Sequence, residues 1–117
     1  MENSCICSIR SIYKAISTFE KRLEMDFGVN INELMLLCNL SEQDLLTSGE
    51  IAKQLDLTSS NASKVIAAME KCGNVERHMC EDDKRCMRFS ITHKGKELLS
   101  HINCDSFKIP DNLQHLI

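Results

Sequence analysis

The sequence predicts a mainly helical, single-domain fold that carries one small β-hairpin. Three observations support this. Apolar residues recur at spacings of three and four along most of the chain, then switch to strict alternation after Gly73. A single Pro and four Gly in 117 residues leave long stretches free of helix breakers. At 43% hydrophobic residues, a chain of this length fills one core and not two.

Ser4 to Phe27 reads as one long helix, with Ile9, Ile12, Tyr13, Ile16, Phe19, Leu23 and Phe27 at helical spacing and Gly28 as its end. Ile31 to Leu40 forms a second helix with Leu34, Leu37 and Cys38 expected inward, and Ser41-Glu42-Gln43-Asp44 is a polar connection. Thr47-Ser48-Gly49-Glu50 has the form of a capping box, which starts a third helix and turns Ile51, Ala52 and Leu55 inward. Asp56-Leu57-Thr58 is short enough to join two helices at a steep angle, with Leu57 plugging the corner.

Thr58 then caps a helix that runs to about Cys72 and is closed by Gly73. Its Ala62, Val65, Ile66 and Met69 make one narrow apolar stripe. Beyond Gly73, Val75, Arg77 and Met79 alternate with Glu76, His78 and Cys80, and Met87, Phe89 and Ile91 alternate with Arg88 and Ser90. This is a β-hairpin whose tip, Glu81-Asp82-Asp83-Lys84-Arg85, is entirely charged. Thr92 opens a last helix containing Leu98, Leu99 and Ile102. Helix, helix, turn, helix and hairpin, in that order, make a winged helix-turn-helix.

The net charge of −3 is unevenly divided. Thr58 to Lys96 holds eight Lys or Arg against five Asp or Glu, a local +3, and the remainder carries −6. Binding to phosphates depends on what one face presents, so the acidic total does not exclude nucleic acid. A helix enters the major groove only if its outer face lacks bulk, and Ser59, Ser60, Asn61, Ser63, Ala67 and Ala68 keep that face slim. Asn61 can donate and accept in one plane toward adenine, and Lys64 can reach a guanine or a phosphate. Ser60 and Ser63 suit contacts at the helix N-terminus, where free amides attract anions. At the hairpin tip, Arg85 beside Lys84 can enter a narrow minor groove, with Asp83 pairing to a nearby cation to orient the loop. The plainer alternatives are a solvated helix face and a charged turn.

Together these residues resemble the MarR family of winged-helix regulators. The likeness lies in Leu46-Thr47-Ser48-Gly49-Glu50-Ile51-Ala52, Gly73-Asn74-Val75-Glu76-Arg77, Asp83-Lys84-Arg85 and Ile91-Thr92-His93-Lys94-Gly95, in order, over about Ile31 to Leu99. The resemblance implies that the helix from Ser59 is the recognition helix and Asp83 to Arg85 the wing tip. It further implies a homodimer on a pseudo-palindromic operator of double-stranded DNA, usually as a repressor released by a small-molecule effector or an oxidant. Residues 31–99 are then the DNA-binding unit and 1–30 a dimerisation helix. Residues 100–117 form a short dimerisation tail, where Phe107, Ile109, Leu113, Leu116 and Ile117 are apolar and Pro110 interrupts. Family members usually have long C-terminal helices at this point, so more of the interface is expected to fall on the first helix.

Seven Cys without recurrent C-x-x-C spacing suggest reduced thiols and a cytoplasmic protein. No export or membrane segment is read. Cys5 and Cys7 lie near where a hydroperoxide-sensing branch of the family carries its thiol, but the tyrosines that surround it there are reduced here to Tyr13. A hairpin centred on Asp83 would set Cys80 opposite Cys86, a candidate redox pair, although two free thiols are the simpler reading because cross-strand geometry strains a disulfide. His78, His93, His101 and His115 show no ligand spacing, and no nucleophile or phosphate-loop pattern occurs, so no metal, cofactor or enzymatic activity is expected. Two rival readings use the same scaffold: a winged-helix module that binds another protein without DNA, and a regulator switched by thiol oxidation.

Overall fold

A computed structural model describes residues 2–79 and 87–104. Its elements are α1 (Glu2–Phe27), α2 (Ile31–Glu42), β1 (Leu46–Thr47), α3 (Ser48–Leu55), α4 (Ser59–Lys71), β2 (Val75–Met79), β3 (Met87–Ile91) and α5 (His93–Cys104). The strands form one antiparallel sheet in the order β1-β3-β2. This is the mainly helical winged helix-turn-helix that the sequence predicts. The one element not foreseen is β1.

The helix starts are set by side-chain caps. Thr47 Oγ1 accepts from the Glu50 amide at 3.1 Å while Glu50 Oε1 accepts from the Thr47 amide at 2.9 Å, the reciprocal box expected for α3. Asn30 and Glu33 make a second such box at the start of α2, with both bonds at 2.8 Å. At the other end of α2 the helix takes in Ser41 and Glu42, the first half of the expected polar connection, and Gln43 and Asp44 remain outside it.

Leu36, Leu37 and Leu40 are the buried residues of α2, whereas Leu34 is half-buried and Cys38 is exposed. That differs from the expected Leu34, Leu37, Cys38 stripe. Leu34, Met35, Leu36, Leu37 and Leu40 leave α2 apolar on several sides, and the core selects a stripe whose centre lies about 100° around the helix from the expected one, away from Cys38. The remaining core comes from Leu23, Val29, Leu46, Ile51, Leu55, Val65, Ile66, Met69, Val75, Phe89, Ile91 and Ile102. Leu57 packs against it from the corner between α3 and α4, as expected.

The α1 helix behaves differently along its length. Leu23 is fully buried and Phe19 and Phe27 pack on the core, but Ile6, Ile9 and Tyr13 are 63%, 62% and 70% exposed. No helix among the described residues is long and apolar enough to cross a membrane.

Candidate nucleic-acid interface

The candidate interface centres on α4. Thr58 Oγ1 accepts from the Asn61 amide at 3.1 Å and fixes where the helix begins. Ala62, Val65, Ile66 and Met69 are buried. That burial turns Ser59, Ser60, Asn61, Ser63 and Lys64 outward, all exposed, with Ala67 and Lys71 continuing the same face. Small polar side chains and two ammonium groups thus line one side of a helix whose other side is core.

The approach to α4 is fixed by backbone geometry. Asp56 takes the left-handed conformation (φ 56°) at the end of α3, and the Leu57 amide donates to the Ala52 carbonyl at 2.9 Å. Few non-glycine residues adopt such a φ, and an Asp tolerates it better than a β-branched residue would. Gln54 Nε2 donates to Gln43 Oε1 at 2.8 Å and ties α3 back to the end of α2.

A second set of contacts fixes the far end of α4. Gly73, with φ +81°, closes the helix. Its carbonyl accepts from Thr92 Oγ1 at 2.7 Å, and the same Thr92 oxygen accepts from the Gly95 amide at 3.0 Å, capping α5. Lys94 Nζ donates to the Cys72 carbonyl at 2.6 Å, placing a cation at the C-terminal end of α4. Gly95 leaves no room for a side chain: a Cβ there would run into the carbonyl oxygen of Asn74 and sit 2.8 Å from Ile91 Cγ1. The segments Gly73-Asn74-Val75 and Thr92-His93-Lys94-Gly95 therefore act as one joint between α4, the sheet and α5.

Arg77 completes this joint from β2. Its Nη2 and Nε donate to Glu70 of α4 at 2.8 and 3.1 Å, a bidentate pair, and the guanidinium lies 5.5 Å from the centroid of the Phe89 ring. The hydrogen bonds and charge of Glu70 hold the Arg77 guanidinium above its usual pKa. The sequence reading missed this pair. Its signal was an arginine on the same side of the strand as Val75 and Met79, where a cation needs an anion.

In the hairpin, the β2–β3 register pairs Val75 with Ile91, Arg77 with Phe89 and Met79 with Met87. The outer side carries His78, whose Nε2 lies 2.8 Å from Ser90 Oγ and 3.4 Å from Glu76 Oε1. Arg88 Nη1 donates to the Leu45 carbonyl at 3.2 Å and sits 3.6 Å from Glu50 Oε1. The Thr47 amide and hydroxyl hold the Glu50 carboxyl below its usual pKa, with Arg88 adding to the effect. Asp83, Lys84 and Arg85, and the candidate thiols Cys80 and Cys86, lie outside the described residues, as do Phe107, Ile109, Leu113, Leu116 and Ile117.

Among the described residues, Cys5, Cys7, Cys38 and Cys72 are free and exposed, and no group of three or more His, Cys, Asp or Glu is placed to hold a metal ion.

The family model described as MarR family matches residues 29–87, which span α2, the helix-turn-helix and the start of β3. The HTH-type transcriptional regulator PapX of Escherichia coli is 30% identical over 96 residues, covering 68% of this chain and 58% of PapX. The transcriptional repressor MprA of Escherichia coli (strain K12) is 30% identical over 77 residues, covering 64% of this chain and 44% of MprA. The chain thus spans about half the length of these relatives. Sco3205, a MarR family transcriptional regulator from Streptomyces coelicolor solved in complex with DNA, superposes with a TM-score of 0.71 at 32% identity, over 80% of this chain and 65% of Sco3205.

Proposed function

Because the chain belongs to the MarR family, we propose that it is a transcriptional regulator, a repressor, that binds a specific double-stranded DNA sequence as a homodimer on a pseudo-palindromic operator. The observation that supports this most is the outward face of α4. Five exposed residues, Ser59, Ser60, Asn61, Ser63 and Lys64, occupy five of the first six positions of a helix capped by Thr58 and anchored at its far end by Gly73 and Thr92. A helix of that shape fits the major groove with its N-terminal turn toward base edges. Asn61 reads a base, Ser59, Ser60, Ser63 and Lys64 contact bases or phosphates, and Lys84 and Arg85 at the wing enter the minor groove with Asp83 as orienter.

The two-fold arrangement is supported by α1. Ile6, Ile9, Tyr13 and Ile16 are exposed at spacings of three, four and three, the seam of a helix that packs on another helix. A second copy covers this stripe, with residues 100–117 as the other contributing segment. Two α4 helices related by a two-fold axis then face successive turns of the major groove.

The test is selection of bound fragments from sheared genomic DNA by the full chain, at low and moderate salt. Enrichment of a short inverted repeat is expected, with affinity falling steeply as salt rises. Failure to enrich any sequence at either salt would replace this reading with that of a protein-binding winged helix.

A further inference from the structure

Resting on the DNA-binding reading, we propose that Glu70 and Arg77 are positioning residues that set the angle between the reading face of α4 and the wing. Glu70 lies on the edge of α4 that carries Ser59 and Ser63: seven residues advance a helix by almost two full turns, so Ser63 and Glu70 are nearly in line. Arg77 belongs to β2, the strand that leads into the hairpin tip. The bidentate bond between them therefore joins the flank of the proposed reading face directly to the strand that precedes the wing residues Lys84 and Arg85 in the chain.

Three features suit the pair to holding an angle. A two-point contact between a planar guanidinium and a carboxylate resists rotation where a lysine's single point would not. The guanidinium is held from below by Phe89, which is 5% exposed and sits in β3, the central strand. The pair is also partly open to solvent, Arg77 50% and Glu70 25% exposed, so it adds little to the stability of the fold itself. What it controls is whether helix and wing can engage one duplex together, since linked contacts gain affinity only when geometry permits both at once.

Arg77 as a direct phosphate ligand is the competing explanation, and Glu70 separates the two. If Arg77 contacted phosphate, Glu70→Gln would free it and tighten binding, and Arg77→Met would lower the slope of log affinity against log salt by about one. If the pair sets the angle, Glu70→Gln and Arg77→Met both weaken binding and neither changes that slope.

The experiment titrates the full chain, Glu70→Gln, Arg77→Met and the swapped Glu70→Arg/Arg77→Glu into the duplex enriched by the unsubstituted protein. Amide hydrogen exchange of Val75–Met79 and Met87–Ile91 is followed alongside. Each single substitution is expected to weaken binding about tenfold, a fraction of the gain that linking two contact modules provides, with the swap restoring most of it. The β2 amides are expected to exchange faster in both single variants while the melting temperature stays close to that of the unsubstituted chain. Equal or tighter binding by Glu70→Gln, or unchanged β2 exchange, would overturn the proposal. If the unsubstituted chain enriches no duplex, the DNA-binding reading has failed, and the exchange measurement still decides whether the pair holds the wing.

Discussion

The helices α1 and α4 are both amphipathic, yet they turn opposite faces to solvent. In α4, Ala62, Val65, Ile66 and Met69 are buried and a polar, cationic face is left outside. In the first half of α1, Ile6, Ile9 and Tyr13 are more than 60% exposed, and the helix joins the core only from Phe19 onward. An exposed polar face is at rest in water and available to a polar ligand. An exposed apolar stripe is unfavourable in water until something covers it. The molecule therefore carries two outward surfaces with different needs, which the proposed function assigns to recognition and to assembly.

Paired substitutions break this comparison most strongly. Ile66→Ala in α4 is expected to destabilise the fold by about 2–5 kcal/mol in urea unfolding, the range for emptying a packed aliphatic site. Tyr13→Ala in α1 should change the stability of dilute protein by less than about 0.5 kcal/mol, as for other exposed positions. In sedimentation at micromolar concentration, however, it should shift the chain toward monomer. An equal loss of fold stability at both sites would show that α1 is ordinary core.

The joint behind α4 gives the next effects. Gly95→Ala should cost about 1–3 kcal/mol, because its methyl group meets the Asn74 backbone and Ile91 in a closed space. Asn74 works in the other direction. It is 4% exposed, and among the described residues its Oδ1 has no hydrogen-bond partner and its Nδ2 reaches only the Met69 sulfur at 3.8 Å. Asn74→Leu should raise stability by about 1–2 kcal/mol by removing an unsatisfied buried amide, read as a higher melting temperature. A lower melting temperature would mean that the amide does find a partner in solution.

The smallest effect is on pH dependence. The Glu50 carboxyl is held below its usual 4.5, chiefly by Thr47. A depressed carboxylate stabilises the fold above its unfolded-state value and loses that contribution as the pH falls through the folded value. The melting temperature of the unsubstituted chain should therefore drop more between pH 5 and pH 3 than that of Glu50→Gln. Parallel curves would remove Glu50 from the account of α3.

Most of the scaffold was legible in the sequence because periodicity and caps are local. Ala62, Val65, Ile66 and Met69 stand out against a polar helix, and Thr47 with Glu50 announces a helix start. The stripe of α2 was not legible, since its leucines allow several faces and only the packed core chooses among them. Nor was β1: two residues cannot display alternation, and Leu46 and Thr47 are a strand only because Phe89 and Arg88 lie beside them. The outward turn of Ser59, Ser60, Asn61, Ser63 and Lys64 followed from the buried stripe, whereas the Glu70–Arg77 bond crosses a helix end and a glycine, where no period connects the partners. Gly95 and Thr92 were visible as a motif, but their work in packing α5 against Asn74 needed the fold.

The most direct measurement of whether α4 reads DNA is the affinity of Asn61→Ala for the selected duplex and for a scrambled duplex of equal length and charge, each across a salt series. Losing a base contact should weaken binding to the selected duplex about 5- to 150-fold, the equivalent of about 1–3 kcal/mol, with the scrambled duplex and the salt slope unchanged. Unaltered discrimination between the two duplexes would contradict the assignment of α4 as the element that reads sequence.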